Sequence, residues 1–263
     1  MHGLEGLTDA LDRLHFDSPF EARVLVETLQ GFAASAATAL GDDLLGLYVC
    51  GSLIMGDFQP ASSDIDFLAV TSHPLDKGDL SRIVGIHASL ARKPFGDRLE
   101  GSYAAASRLR PWGIVGHLLS VEPGAQPMLS PSDYSADNMW ALRNTAVALM
   151  GAPRESLMPD VDEETLRTGL RQYLSELLVR SSDASAAELS SCLLNIARCM
   201  FGIESGRACT KHEAAIWLLA REPELEAGLT TALQVRSGMA ELQSHTVAMR
   251  DGIAKLAHFL VDS

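Results

Sequence analysis

Two short apolar runs, Leu44–Cys50 and Ile65–Val70, flank a loop containing Gly51, Ser52, Gly56 and Pro60, and the second run opens on Ser63-Asp64-Ile65-Asp66. Runs of this length bounded by turn residues have the pattern of buried strands, and the two together predict a hairpin-like pair. Residues two apart in an extended chain share a face, so Asp64 and Asp66 project side by side while Ile65 and Phe67 point into a core. Carboxylates held in this way repel each other, and a divalent cation between them relieves the repulsion. Hard oxygen ligands on a short strand suit magnesium, which takes one or two protein carboxylates and completes its octahedron with phosphates and water. Gly51 lets the backbone approach a polyphosphate, and the hydroxyls of Ser52 and Ser63 can donate to its oxygens. A third carboxylate is expected from a neighbouring strand. Glu100 is the candidate, because it lies in the strand-like stretch 98–105 and its spacing leaves room for one crossing helix.

The rest of the chain alternates at first and then changes texture. Ser18-Pro19-Phe20-Glu21 is a capping box with proline at the first helical position, and the apolar periodicity behind it runs to Gly41. Asp79–Arg92 reads as a helix, and Arg98–Ala105 and Val115–Val121 as strands, which gives a small mixed sheet with helices on it. Pro123, Pro127 and Pro131 mark a linker, placing a domain boundary within 122–134 and dividing the chain into 1–130 and 131–263. Everything beyond is helical in period: Ala136–Met150 closed by Gly151, Glu163–Arg180, Ala186–Gly206, a short helix capped by Thr210-Lys211-His212-Glu213, one behind Pro223, and one from Met239 to about Val261. The class expected is α+β, with a sheet-based N-terminal domain and an all-helical C-terminal bundle.

Charge narrows the partners. Lys and Arg number 21 against 34 Asp and Glu, a formal charge of −13. Such a surface repels nucleic-acid phosphates and anionic lipid and draws in cationic small molecules. No run of 18 apolar residues is free of charge, and the first residues place acids and bases where a leader would need apolar ones, so a cytoplasmic location is expected. Cys50, Cys192, Cys199 and Cys209 lack zinc-site spacing and read as reduced thiols.

Gly51-Ser52, ten intervening residues and then Ser63-Asp64-Ile65-Asp66 resembles the signature of the polymerase-beta type of nucleotidyltransferase. Trp140-Ala141-Leu142-Arg143 through Leu149-Met150-Gly151, Leu193–Arg198, Lys211 and Trp217 are similar to the helical domain of the aminoglycoside adenylyltransferases that modify spectinomycin and streptomycin. The resemblance covers about residues 20 to 260. It implies that 1–130 is a nucleotidyltransferase domain and 131–263 a helical substrate-binding domain. Asp64 and Asp66 match the family's magnesium carboxylates, and Glu100 its catalytic base, which also completes the metal site. Ser52 and Ser63, beside Gly51, match triphosphate contacts, and Arg198 and Lys211, thirteen apart, match the cations on the nucleotide phosphates. Glu188 falls where the family places an acid on the drug, and Trp112 and Trp140 are the candidates for its stacking tryptophan.

The departures concern the acceptor. Where streptomycin-active members carry a Trp and an Asp, this chain has Val179 and Ala184, and a nucleotide-contacting Tyr is matched by Ser237 or Arg236. The expectation is therefore a magnesium-dependent, monomeric enzyme that moves AMP from ATP to a hydroxyl of a cationic aminocyclitol or aminoglycoside, spectinomycin before streptomycin, releasing pyrophosphate. Two alternatives keep the scaffold: another acceptor (a lincosamide, a protein or an RNA end), or a non-catalytic nucleotide or drug sensor. The acidic balance argues against RNA, and the retention of all three carboxylates argues against the sensor.

Overall fold

The computed structural model describes residues 7, 11, 19–60, 63–238 and 246–261. Ser18 of the first capping box and the start of the last expected helix, at 239–245, lie outside them. The chain divides into two compact units, Met1–Val161 and Asp162–Ser263.

In the first unit, helix α1 (Pro19–Leu40) leads through a 3-10 turn into β1 (Leu44–Val49) and the short helix α2 (Gly51–Met55). Then follow β2 (Ile65–Thr71), α3 (Lys77–Leu90), β3 (Leu99–Ala105), β4 (Leu109–Arg110), β5 (Gly113–Ile114), β6 (His117–Val121) and β7 (Met128–Pro131). The unit ends with α4 (Ala136–Thr145), β8 (Val147–Gly151) and α5 (Arg154–Leu157). Six strands form one sheet in the order β7-β6-β3-β2-β1-β8. The β1–β2 pair is antiparallel, as the spacing predicts, while β2 and β3 are parallel and joined by the crossing helix α3. Asp76 starts α3 with a full capping box, accepting from the Asp79 N–H while the Asp79 carboxylate accepts from its own.

Alternation sets the two faces of this sheet. Leu47, Val49, Ile65, Phe67, Ala69, Leu99, Tyr103, Leu119 and Val121 share one buried cluster with Leu25, Leu29 and Phe32 of α1 and Ile83 and Leu90 of α3. Within it His87 stacks on Phe67, with ring centroids 5.8 Å apart, and its Nε2 lies 3.0 Å from the Tyr103 hydroxyl. Burial there pushes the imidazole down to about 4, so it is neutral. The opposite face carries Asp66 and Glu100 at the entrance, with Leu68 and Ser102 behind them.

The segment expected as one helix, Ala136–Met150, divides instead. Helix α4 stops at Thr145, and Val147–Gly151 is a strand paired antiparallel with β1. Helical period alone cannot register that β1 needs a partner along its outer edge, and the apolar run Val147-Ala148-Leu149-Met150 suits a strand equally well. Arg154 secures the break, donating from Nε to Arg143 O at 2.9 Å and from Nη1 to Ala146 O, two carbonyls at the helix end. The stretch read as a linker likewise contains β7, which pairs with β6. These two strands move the divide from 130/131 to 161/162.

The second unit is helical, as expected: α6 (Glu163–Arg180), α7 (Ala186–Ser205), α8 (Lys211–Leu219), α9 (Glu226–Arg236) and α10 (Thr246–Val261). Helix α7 is central and packs on each of the other four. Leu166, Leu170, Leu174 and Leu177 of α6 bury one stripe, and α9 and α10 approach closely where Gly228 and Gly252 face one another. Residues 20–43 and α7 are long and apolar enough to cross a membrane by length and composition. Here their apolar sides are taken up by the two cores, through Leu25, Leu29 and Phe32 in one and Leu189, Leu193 and Ile196 in the other.

Gly151 shows how tightly β8 is held. Its φ is +86°, and a Cβ there would penetrate the Leu45 carbonyl on β1. Gly151→Ala is expected to destabilise the fold by at least about 1–2 kcal/mol from the left-handed backbone alone. Urea unfolding followed by circular dichroism measures it.

Candidate active site

The parallel register of β2 and β3 places Asp66 directly opposite Glu100. Neighbouring strands lie about 4.8 Å apart, so two side chains at matched positions stand next to each other on one face. Asp64, one residue before β2, shares a side-chain hydrogen bond with Glu100. Both aspartates are half-buried, whereas Ile65 and Phe67 are fully buried. The register and this hydrogen bond set Asp64 and Asp66 each beside Glu100.

Their mutual repulsion is visible in Glu100. Burial raises its pKa first, and the charges of Asp66, Asp64 and Glu122 and the hydrogen bond with Asp64 add to the rise, to about 8. Glu122, just past the end of β6, has no signal in the sequence that would assign it here; β6 carries it in as the neighbour of β3. Among the described residues no three His, Cys, Asp or Glu side chains already stand in an array able to hold an ion. The three-carboxylate metal site expected from sequence is thus not preformed. Magnesium needs only one or two protein carboxylates, so the Asp64 and Asp66 donor set fits it, and the concentrated negative charge is what such an ion would relieve.

Gly51 is fixed by sterics. It adopts φ +67°, and a Cβ on it would fall on the Asp66 carboxylate. The Cys50 N–H donates to Asp66 O at 3.0 Å, extending the β1–β2 ladder to the edge of the loop. Beyond Gly51, Ser52 is half-buried in α2, and its carbonyl accepts from the Asp57 N–H at 3.0 Å. Ser63 closes the loop, with Oγ accepting from the Gln59 N–H at 2.9 Å, a bond that leaves its own hydroxyl proton to donate. Arg98, in the 3-10 turn that leads into β3, clamps the loop by donating to Pro60 O.

The face behind the acids is lined by residues that sequence reading missed. Tyr134, in the stretch read as linker, hydrogen bonds with Ser102, and burial drives its phenol far above the usual range, with Cys50 and Asp66 adding to the shift. Cys50 is likewise held as a neutral thiol, by burial first and then by Asp66 and Glu100. No periodicity marks a single tyrosine behind a run of prolines as a wall of a site.

The other expected residues are placed separately. Trp112 is 62% exposed at the two-residue turn between β4 and β5. Trp140 is half-buried on α4. In the second unit Glu188 completes a capping box at the start of α7, its Oε2 accepting from the Ser185 N–H at 2.7 Å, and hydrogen bonding to Ser185 holds its pKa below the usual range. Arg198 on α7 donates from Nε to Cys209 O at 3.0 Å, and Lys211 is the first residue of α8, behind its cap Thr210. Val179 is 75% exposed near the end of α6.

A mixed sheet with a βαβ crossover, acids at the entrance of its parallel pair and a glycine-serine turn against them defines a nucleotidyltransferase. The crystal structure of the spectinomycin adenyltransferase AAD(9) from Enterococcus faecialis with ATP and spectinomycin has this fold, with a TM-score of 0.71 and 18% sequence identity, covering 88% of this chain and 99% of that one. Residues 156–263 match the family model described as the aminoglycoside adenylyltransferase C-terminal domain. The spectinomycin 9-adenylyltransferase of Campylobacter jejuni is 26% identical over 229 residues, covering 81% of this chain and 85% of that protein. Residues 156–263 are thus similar to the C-terminal domain of the aminoglycoside adenylyltransferases, and most of the chain is similar to a spectinomycin adenylyltransferase.

Two outcomes follow from the crowding of acids. A carboxyl whose pKa is raised on folding stabilises the protein below its unfolded pKa, and that contribution is lost as pH rises through the folded value. In chelator, stability is therefore expected to fall between about pH 4.5 and about pH 8, and Glu100→Gln should flatten that limb in melting curves taken across the range. Gly51→Ala should displace Asp66 and lower kcat/KM by at least about a hundredfold while the protein stays folded by circular dichroism.

Proposed function

We propose that this protein transfers AMP from ATP to a hydroxyl of an aminocyclitol antibiotic, with spectinomycin as acceptor rather than streptomycin, in a magnesium-dependent reaction that releases pyrophosphate. The observation that carries the reading is the matched register of Asp66 and Glu100, with Asp64 hydrogen-bonded to the latter.

Asp64 and Asp66 would hold the magnesium, which when bound offsets the charge of the triphosphate. Gly51, whose missing side chain makes room for the Asp66 carboxylate, lets the backbone pass beside the phosphates, and the Ser52 and Ser63 hydroxyls donate to their oxygens. Glu100 acts as the general base. A carboxylate pushed up to about 8 has more affinity for a proton than an ordinary glutamate, and in its ionised form it is suited to take one from an attacking hydroxyl near neutral pH. The acceptor oxygen forms a bond to the α-phosphorus, the bond from that phosphorus to the bridging oxygen breaks, pyrophosphate departs, and the hydroxyl proton moves to Glu100. Arg198 and Lys211 bind the polyphosphate oxygens.

The acceptor reading rests on charge and on two absent side chains. With a formal charge of −13, the protein attracts polyamines and aminocyclitols. Glu188 remains ionised and fixed by its cap, a suitable partner for an ammonium group, and the exposed Trp112 offers a flat apolar face to a sugar or aminocyclitol ring. Val179 and Ala184 supply neither the ring nor the carboxylate found in streptomycin-active relatives. The similarity to the spectinomycin adenylyltransferases of Campylobacter and Enterococcus supports the same acceptor.

Pyrophosphate release from ATP and magnesium, measured across an acceptor panel, is expected with spectinomycin and not with streptomycin. Glu100→Gln should lower that rate by about 10²–10⁴, the usual contribution of a general base. Release with a lincosamide, a protein or an RNA end instead would reassign the acceptor. ATP binding without release, whatever the acceptor, would turn the reading towards a sensor.

A further inference from the structure

On α7 every residue from Leu189 to Cys199 is buried except Ser191, Asn195 and Arg198, which are half-exposed. Their spacing of four and then three puts them on one face, so an otherwise apolar helix carries a single polar stripe. The stripe is connected. Arg198 donates from Nη1 to Asn195 Oδ1 at 3.2 Å and from Nε to Cys209 O at 3.0 Å. Asn195 in turn donates from Nδ2 to Ser191 Oγ at 3.4 Å, and the Lys211 ammonium, arriving from α8, donates to the same oxygen at 3.4 Å.

Both acceptors that hold Arg198 are neutral. A carboxylate at residue 195 would grip the guanidinium more strongly, since charge-assisted bonds are about twice as strong as neutral ones, but it would also cancel the charge. An amide oxygen fixes the direction of the guanidinium and leaves its full charge for an anionic ligand. The long bonds to Ser191 are of the weak kind that a phosphate oxygen readily replaces.

We infer that Asn195 is a positioning residue for nucleotide binding: it orients Arg198 toward the polyphosphate without neutralising it, and Ser191 ties that arrangement to Lys211. This rests on the reading that Arg198 and Lys211 bind phosphate.

The test compares Asn195→Asp, Asn195→Ala and Arg198→Ala by calorimetric titration with ATP and magnesium, alongside melting temperature and acceptor KM. Asn195→Asp keeps an oxygen for the guanidinium and adds a charge that competes with phosphate. It should weaken ATP binding by about tenfold or more, and more than Asn195→Ala does, with melting temperature held or raised and acceptor KM unchanged. Asn195→Ala should weaken ATP binding a few-fold, and that loss should vanish when Arg198 is already alanine. If Asn195→Asp binds ATP as well as or better than Asn195→Ala, the residue is structural and the inference is overturned. Should the aspartate variant fail to fold, unchanged ATP affinity in Asn195→Ala overturns it equally. Normal ATP affinity in Arg198→Ala would remove the phosphate reading itself, whereas loss in that variant with none in either Asn195 variant would remove this inference alone.

Discussion

Repulsion between acids at the open end of one parallel strand pair is the constraint around which the first unit is arranged. Asp66 and Glu100 are neighbours because β2 and β3 run in register, and no side-chain rearrangement on a pleated sheet can move them to opposite faces. Holding them there costs free energy, and burial first, then the neighbouring acids, push the Glu100 carboxyl up to about 8. The opposite side of the same strands offsets that cost. Ile65, Phe67, Leu99 and Tyr103 are buried against α1 and α3, and that packing fixes the register the acids depend on. Gly51 belongs to the same device, since its missing side chain is the space the Asp66 carboxylate occupies.

The helical unit handles charge in the opposite way. Its central helix is largely buried, yet it carries a half-exposed arginine, and partly desolvating a cation is costly. The cost is met with a backbone carbonyl and an amide oxygen. One unit thus gathers negative charge that asks for a cation, and the other presents positive charge on neutral supports.

Much of this was legible in the chain. The alternation of Asp64-Ile65-Asp66-Phe67 states which residues face the core and which face the site, and the interval to Glu100 fits a strand, a helix and a return. The cap at Thr210 located α8 closely, because it satisfies a helix N–H group by local chemistry alone. What was not legible depends on partners distant in sequence. Val147–Met150 becomes a strand because β1 lies a hundred residues earlier with an edge to fill, and Tyr134 becomes a wall because the sheet face behind Ser102 needs cover. Glu122 joins the acids only through strand order. Glu188 shows a further limit, since one residue type at one position serves both as a helix cap and as a ligand candidate.

The return of Val147–Gly151 to the sheet determines where the polypeptide can be cut. A fragment ending at the proline-rich stretch near 130 would lack β8 and expose the backbone of β1 along its whole outer edge. Bare edges of that kind recruit strands from other molecules, so such a truncation would aggregate rather than report on nucleotide chemistry. A piece that preserves the sheet must run at least through Gly151, and the whole first unit ends at Val161.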